Sequence, residues 1–590
     1  MDKLVMINRT QERLLTVTVR SIYWERVNLY LKIDVTAHEG TVFPDELDFY
    51  LVNEKHEAKA RFKAEDRAQD HALLLLQITN PGNCLCMPEG RYQCYACRGN
   101  EILAAAAIDS DLASSLLDVD RAFQYSAGHC SHSYTVSFSV GENEDDLRLI
   151  VQILDMVQSH IPRRIACRNA AVNLIKKMLS AYYAVSHRWY RFFSSRKRKK
   201  TILFLSEQTF EPSATMRVLY ERMLQRGIDK EFNILFSLQK GEIWRSGPKY
   251  CLGALRKMAR ADQIYVDDRF SVFSWLTVAA DTQLVQLWHA GAGYKSSGLS
   301  RLGSQNSPSP YGAHRQYDYG ITPSAKIASF FSEVFGINTE QILPTGMPRT
   351  DEFLSAEHRE EKTKELYESF PAIRGKKVIL FAPTFRGHDQ NDACYPYGMI
   401  DFDALYSFCG EEYVVWFKMH PWVSEPVPIA EKYSDRFFDM SKYPSINDLF
   451  YVTDILIGDY SSNVFEFSLM SRPMLFYAFD EARYSVVRGF HRDYRSSIPG
   501  KLCQSFEELL QALKDEDYEL DKLTQYRARH IDVIDTGASD RVIDWIVLGK
   551  LPGEYAQRIA CAKADYEKTA SADFSCLDDL TDKGPDTGRC

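Results

Sequence analysis

Apolar and polar positions alternate in short runs over the first 141 residues: LLTVTVRSIYW, VNLYLKIDV, LDFYLV, HALLLLQI, GRYQCYAC and YTVSFSV. A period of two, broken by Gly, Pro, Asn and Asp turns, predicts strands with one buried face, and a set of them predicts a small antiparallel sandwich. After the charged turn GENEDD, helical spacing is expected over roughly residues 147–193, interrupted at Pro162. Beyond Lys200 the grammar changes to TILFL, FNILFS, QIYVDD, LVQLWH, YGIT and QILPTG, then VILFAPT, YVVWFKMH, RFFDM, DILIGDY and PMLFYAFD. Apolar runs separated by helical segments indicate parallel strands covered on both faces.

The α/β half divides near the charged helical stretch 355–368, which predicts two Rossmann-like domains facing a cleft. The expected organisation is an N-terminal β-sandwich-like domain (1–145), a helical basic linker (146–200), a first Rossmann-like domain (201–354), a second (355–552), and an acidic, disordered tail (553–590). In such sheets ligands bind beyond the carboxyl ends of the strands.

Composition narrows the class of partner. The 590 residues are 45% hydrophobic and 26% charged, with a formal net charge of -9, which argues against a nucleic-acid binder because phosphate-backbone affinity needs a basic surface. No run approaches the roughly 20 apolar residues of a bilayer span, and MDKLVMINRTQERLL lacks the apolar core of a signal peptide, so a cytoplasmic protein is expected. Thirteen cysteines without a secretion signal read as reduced thiols. Cys84, Cys86, Cys94 and Cys97 have spacings open to zinc or to ordinary buried thiols.

One local exception to the acidic balance stands out. Between residues 188 and 200 lie Arg188, Arg191, Arg196, Lys197, Arg198, Lys199 and Lys200, no acid, and the interleaved Trp189, Tyr190, Phe192 and Phe193. This suits an interfacial helix on anionic lipid, on the inner face of a cell membrane, and equally a solvated linker.

The polar motifs fall at strand ends. His289 follows the strand LVQLW and precedes a small-residue turn with Gly291 and Gly293; His420 ends VVWFKM before Pro421. Thr384 and Arg386 follow VILFAP, Arg349 follows QILPTGMP, and Lys418 lies two residues before His420, on the same strand face. Ser461 and Ser462, after DILIGDY, precede a helical stretch whose N-terminus favours an anion. Phosphoryl transfer needs an oriented hydroxyl, a base and fixed positive charge around phosphorus. His289 is the expected base; His420, Lys418, Arg386 and the Ser461-Ser462 turn are expected to hold a diphosphate. No P-loop is present.

The ordered motifs WHAGAGYKSSG, TGMPRTDEF, APTFRG, KMHP, INDLFYVTDILIGDYSSNVFEF, RPMLFYAFD and RGFHRDY resemble those of the CDP-glycerol glycerophosphotransferase family of teichoic acid polymerases and primases. The resemblance covers about residues 201–551. It implies an α/β fold of GT-B type, in which two Rossmann-like domains face each other, and transfer of a polyol phosphate from CDP-glycerol, or from CDP-ribitol, to a polyprenol-linked polymer with release of CMP. No cofactor is expected, and no cluster of metal-ligand spacing lies among the cleft motifs. Carried onto matching positions, it implies catalytic His289 and His420 and donor contacts from Trp288, Ala290, Gly291, Ala292, Arg349, Pro383, Thr384, Lys418, Met419, Ser461, Ser462 and Glu466, with attachment to an anionic membrane surface. Glycerol-phosphate enzymes carry HGTP where this chain has His289-Ala290-Gly291-Ala292, a form closer to ribitol-phosphate relatives, which also have an N-terminal β domain. Glu466 stands where the family often has aspartate.

In the expected reaction an acceptor hydroxyl, deprotonated by His289, attacks the β-phosphorus of CDP-glycerol. Two other readings stay open: a sugar-nucleotide glycosyltransferase on the same fold, and a noncatalytic scaffold that binds a surface polymer.

Overall fold

The alternating runs form strands because each places one side chain in two against a shared core. The computed structural model describes residues 5–6 and 15–571, apart from 38–46, 56–57, 69, 82–85, 100, 128–129, 141–146, 159–162, 194–197, 292–294, 305–306, 310–313 and 388–389. Leu15–Glu25, Asn28–Ala37, Asp48–Asn53, His71–Gln77, Gly90–Arg98 and Cys130–Val140 are all strands. They belong to a twelve-stranded sheet around a core that includes Leu29, Phe49, Phe123 and Tyr134. The sheet is mixed rather than antiparallel throughout, since Leu15–Glu25 runs parallel to Glu101–Ile108.

The helix expected over 147–193 splits in two. Leu147–Gln158 is a strand paired antiparallel with Cys130–Val140, and Arg163–Phe193 is helical. Leu147, Leu149 and Val151 point into the β core while Arg148 and Ile150 are half-buried. LRLIVQI satisfies a period of two as well as a helical one, and the neighbouring strand decides between them. The β domain therefore extends past the expected boundary at 145.

Arg163–Phe193 lies with Leu179 and Tyr183 against the first α/β unit, and His187 bonds the Ala259 carbonyl and the Asp281 carboxylate at 3.0 and 2.8 Å. The opposite face leaves Leu174, Met178, Val185, Trp189, Phe192 and Phe193 exposed. Part of the cationic block turns inward: Arg191 and Arg198 both pair with Asp262. Arg196 and Lys197 lie outside the described residues. No helix among the described residues is long and apolar enough to cross a membrane.

Two six-stranded parallel sheets follow. The first runs Phe232–Leu238, Lys200–Ser206, Gln263–Val266, Gln283–Gln286, Tyr319–Ile321, Ile342–Leu343, which is chain order 2-1-3-4-5-6. The second runs Phe437–Asp439, Tyr413–Phe417, Lys377–Phe381, Ile455–Gly458, Met474–Tyr477, Lys501–Cys503, the Rossmann order 3-2-1-4-5-6. Its order reverses between Lys377–Phe381 and Ile455–Gly458, so the loops after these two strands flank the crevice where such sheets bind ligands. Every residue of Tyr413–Phe417 and Ile455–Gly458 is buried, as a sheet covered on both faces requires.

After residue 530 the chain returns to the first unit, so the second domain does not run uninterrupted to 552. Asp540 pairs with Arg222 and Arg226, the Arg541 guanidinium donates to the Thr345 carbonyl at 2.7 Å, and Gln263 Nε2 donates to the Val547 carbonyl at 3.1 Å. The expected disordered tail is in part a helix, Gly553–Ser571. Its Ala, Glu, Gln, Lys and Arg content has high helix propensity, Tyr555 and Ile559 pack on the α/β core, and Asp565 pairs with Arg61 of the β domain at 2.6 Å. Residues 572–590 lie outside the described residues.

One carboxylate joins three units. Glu333, buried in the first α/β unit, accepts from Arg26 and Asn28 of the β domain and from His491 Nε2 of the second unit, at 2.9 to 3.0 Å. These contacts hold its carboxyl well below the usual range despite burial, at about 2.

Candidate active site

The strand Gln283–Gln286 delivers Trp288 and His289 to the edge of the cleft. Trp288 adopts left-handed backbone, φ 53°, with its ring buried edge-on against Phe335 and against His314. Such a conformation costs on the order of 1–3 kcal/mol in a bulky residue and is maintained by its surroundings. It turns the next side chain outward: His289 is 52% exposed, with Nδ1 3.5 Å from Asp268 Oδ2. That distance is too long for a formed hydrogen bond, but the carboxylate lies on the Nδ1 side and leaves Nε2 as the nitrogen to accept a proton.

The His289 loop is seated on the second unit. A Cβ at Gly291 would meet the Phe465 ring at 2.5 Å, so only glycine permits this approach. Ala290 packs against the first-unit core; Ala292 lies outside the described residues. Arg349, in the short helix Pro348–Phe353, donates to the His289 carbonyl and pairs with Glu466, whose side chain is buried. Further along, Lys295 bridges to Phe490 and Ser296 N–H donates to the Gly489 carbonyl at 3.3 Å.

His420 emerges just beyond the strand Tyr413–Phe417 and packs against the rings of Phe385 and Trp422. Trp422 N–H donates to its Nδ1 at 3.2 Å, so the ring carries its proton on Nε2. Burial, then Lys295, Arg488 and Lys418, pull its pKa down to about 4. His420 is thus a neutral N–H donor at pH 7, surrounded by fixed positive charge.

Other expected donor contacts are already engaged with protein. Four Arg386 N–H groups go to Asp480 Oδ1 and Oδ2, Asp459 Oδ2 and the Thr384 carbonyl. Desolvation opposes its charge, but Asp459 and Asp480 outweigh it and raise its pKa. Thr384 gives both its N–H and its hydroxyl to Asp459 Oδ1, at 2.8 and 2.9 Å. Lys418 Nζ donates to the carbonyls of Ser441 and Tyr443, and burial lowers its pKa. Met419 is buried with its N–H on Ser441 Oγ, and Pro383 is buried. The helix expected to start at the serine pair starts at Val464 with Asn463 as N-cap, and Ser461 Oγ accepts from Asn463 N–H at 3.3 Å. Phe465 N–H donates to the Ser462 carbonyl at 3.1 Å, so the serine pair sits one turn before the ring that Gly291 approaches.

Sequence reasoning passed over Asp459, Asp268, Lys295 and Arg488. Asp459 is fully buried and ties the loop after Lys377–Phe381 to the loop after Ile455–Gly458. GDY reads locally as a strand stop; only the distant partners reveal a hub. Among the described residues no three His, Cys, Asp or Glu side chains are placed to hold a metal. Cys86, Cys94 and Cys97 are buried, and Cys84 lies outside the described residues.

A family model described as CDP-Glycerol:Poly(glycerophosphate) glycerophosphotransferase matches residues 188–548. The chain belongs to that family. It is 35% identical over 378 residues to a teichoic acid poly(ribitol-phosphate) polymerase of Bacillus spizizenii, covering 64% of this chain and 60% of that relative. A ribitol-phosphate polymerase of Staphylococcus aureus, TarK, is 36% identical over 353 residues, 59% of this chain and 68% of its own. A glycerol-phosphate primase of Bacillus subtilis is 30% identical over 369 residues, 60% of this chain and 92% of its own. The wall teichoic acid polymerase TagF superposes on 66% of this chain and 99% of its own with a TM-score of 0.49 and 22% identity.

The family match begins inside Arg163–Phe193 and ends just after Ile543–Val547. It takes in both parallel sheets and the returning C-terminal segment, and leaves out the β domain and Gly553–Ser571.

Proposed function

We propose that the protein is a CDP-polyol phosphotransferase whose two α/β units form a GT-B-type cleft. His289 Nε2 takes the proton of an acceptor hydroxyl, whose oxygen attacks the β-phosphorus of the donor. The anhydride bond to the α-phosphate breaks and CMP leaves. Charge builds on that leaving phosphate, where the His420 Nε2–H, Lys295 and Arg488 supply a donor and positive potential. Arg349 and Glu466 hold the base loop against the second unit. Arg386, Thr384 and Asp459 shape the Ser461-Ser462 turn that receives the diphosphate, as positioning residues and not as direct contacts.

The observation that carries this reading is a paired arrangement: an outward histidine beside a carboxylate in one unit, and in the other a neutral histidine whose neighbours include Lys295, Arg488 and Lys418. We favour ribitol phosphate as the transferred unit: the ribitol-phosphate polymerases are 35–36% identical, a ribitol-phosphate primase 30% and the glycerol-phosphate relatives 28–32%. The acceptor is a lipid-linked polymer reached at an anionic membrane surface, on which the exposed apolar face of Arg163–Phe193 lies.

The test offers CDP-ribitol, CDP-glycerol and sugar nucleotides with a lipid-linked polyol-phosphate acceptor and follows CMP. Faster release from CDP-ribitol is expected, with a new phosphodiester. No CMP from either CDP-polyol overturns the proposal.

A further inference from the structure

A large cavity lies away from the histidines. It has a volume of about 1040 Å³ and opens between the β domain, residues 325–340 of the first α/β unit, the His491-Arg492 turn and the helix Gly553–Ser571. This size exceeds what a single phosphate needs and suits a ligand of several repeating units.

Its charges do not balance. Arg26 is taken up by Glu333, Arg61 by Asp48 and Asp565, and Lys63 by Glu65 and Glu340. Arg492, Arg529 and Arg558 line the same cavity, and none of their side chains has a hydrogen bond or ion pair among the described residues. Against them stand Glu25, at the end of Leu15–Glu25, and Glu554, one turn before Arg558 on Gly553–Ser571. Arg492 is the sharpest case: its Nη1 is buried without a partner. Burial, with Arg529 and Arg26 adding to it, pulls that guanidinium down to about 10. A desolvated arginine left without an anion is a cost to the fold that a bound anion removes.

We propose that this cavity binds the phosphodiester backbone of a polyol-phosphate chain, with Arg492, Arg529 and Arg558 each engaging phosphate oxygens. The three guanidiniums come from a turn, the helix Leu520–His530 and the helix Gly553–Ser571, so three separate elements present them to one cavity. Planar guanidinium forks match phosphate oxygens two at a time. The choice of a polyol-phosphate chain over another polyanion rests on the transferase reading above. The site would retain polymer during repeated transfer, on walls to which the β domain contributes.

The test measures binding of a synthetic glycerol-phosphate hexamer to the full-length protein in saturating CMP, by calorimetry and by thermal shift. The wild type should bind the hexamer more tightly than pyrophosphate and melt higher with it. Arg492→Gln/Arg529→Gln should melt higher than wild type without ligand, yet bind the hexamer at least about tenfold more weakly. Arg558→Gln, at an exposed helix position, should weaken binding without affecting folding. A hexamer affinity unchanged in both variants overturns the proposal, as does pyrophosphate binding equal to that of the hexamer. CMP release is read separately: a protein inactive on both CDP-polyols that still binds the hexamer through these arginines sinks the transferase reading and leaves the site. An active protein whose hexamer affinity ignores the arginines sinks the site alone.

Discussion

The Arg349 guanidinium is ion-paired with the buried Glu466 carboxylate across the two α/β units, and it also holds the carbonyl of His289. Removing one member leaves the other charge buried and uncompensated, a loss of about 3–5 kcal/mol. Arg349→Ala should therefore lower unfolding stability by that order and also depress CMP release, because the base loop loses its tether. Arg349→Lys should recover little, since an ammonium cannot reproduce the fork that serves both acceptors. Urea denaturation and turnover measured on Arg349→Ala, Glu466→Gln and the double variant check this. Additive losses would show that the pair is not coupled.

Gly291 offers a test by size compensation. A methyl group there overlaps the Phe465 ring, so Gly291→Ala should force the His289 loop off the second unit at a cost of about 1–3 kcal/mol, with a fall in kcat larger than any change in KM. Phe465→Leu creates room and should restore part of the activity of Gly291→Ala. If the single variant turns over like wild type, the loop does not need this contact.

The fold was more legible than the site because its signals are local. Apolar runs such as VILF and YVVWF announce parallel strands by themselves, and the turns after them place His289, His420 and Ser461 at strand ends. The errors arose where distant residues decide. Leu147–Gln158 is a strand because Cys130–Val140 lies beside it. Arg386, which as a sequence position resembles a phosphate ligand, turns inward because Asp459 and Asp480 lie 73 and 94 residues away in the chain. The edge strand Lys501–Cys503 has three residues, too few to carry a period.

His420 should remain neutral through the working range. With its pKa near 4 and its Nδ1 occupied by Trp422 N–H, nitrogen-15 NMR at pH 7 should find the Nε2–H form, with no titration near 6.5. His420→Gln, which keeps an N–H donor, should retain more turnover than His420→Ala, for which a loss of about 10²–10³ is expected. The same depression has a consequence for stability. His420, His314 and His530 have folded pKa values of about 4, 3 and 4, below the unfolded value, so the unfolded chain binds more protons as pH falls. Stability is complete above pH ~6.5 and declines from there toward pH ~4, by up to about 1.4 kcal/mol per unit for each fully buried group. Urea midpoints that stay level from pH 7 to pH 5 would contradict these assignments.

For the membrane contact proposed for the helix Arg163–Phe193, two kinds of contribution are separable. Trp189, Phe192 and Phe193 are 60%, 82% and 65% exposed, whereas Arg191 and Arg198 are committed to Asp262. Aromatic insertion should therefore dominate over these two charges. Burying an aromatic side chain in the interface contributes roughly 1.5–3 kcal/mol, so replacing all three with serine should weaken binding to anionic vesicles by at least about 10²-fold. Arg198→Ala should leave vesicle binding nearly unchanged and instead loosen the start of Lys200–Ser206, because Asp262 also accepts from the Thr201 N–H at 2.7 Å. Sedimentation with liposomes reads the first effect and thermal melting the second. If the triple serine variant sediments like wild type while Arg198→Ala does not, the helix contacts lipid through its charges and the exposed aromatic face serves another partner.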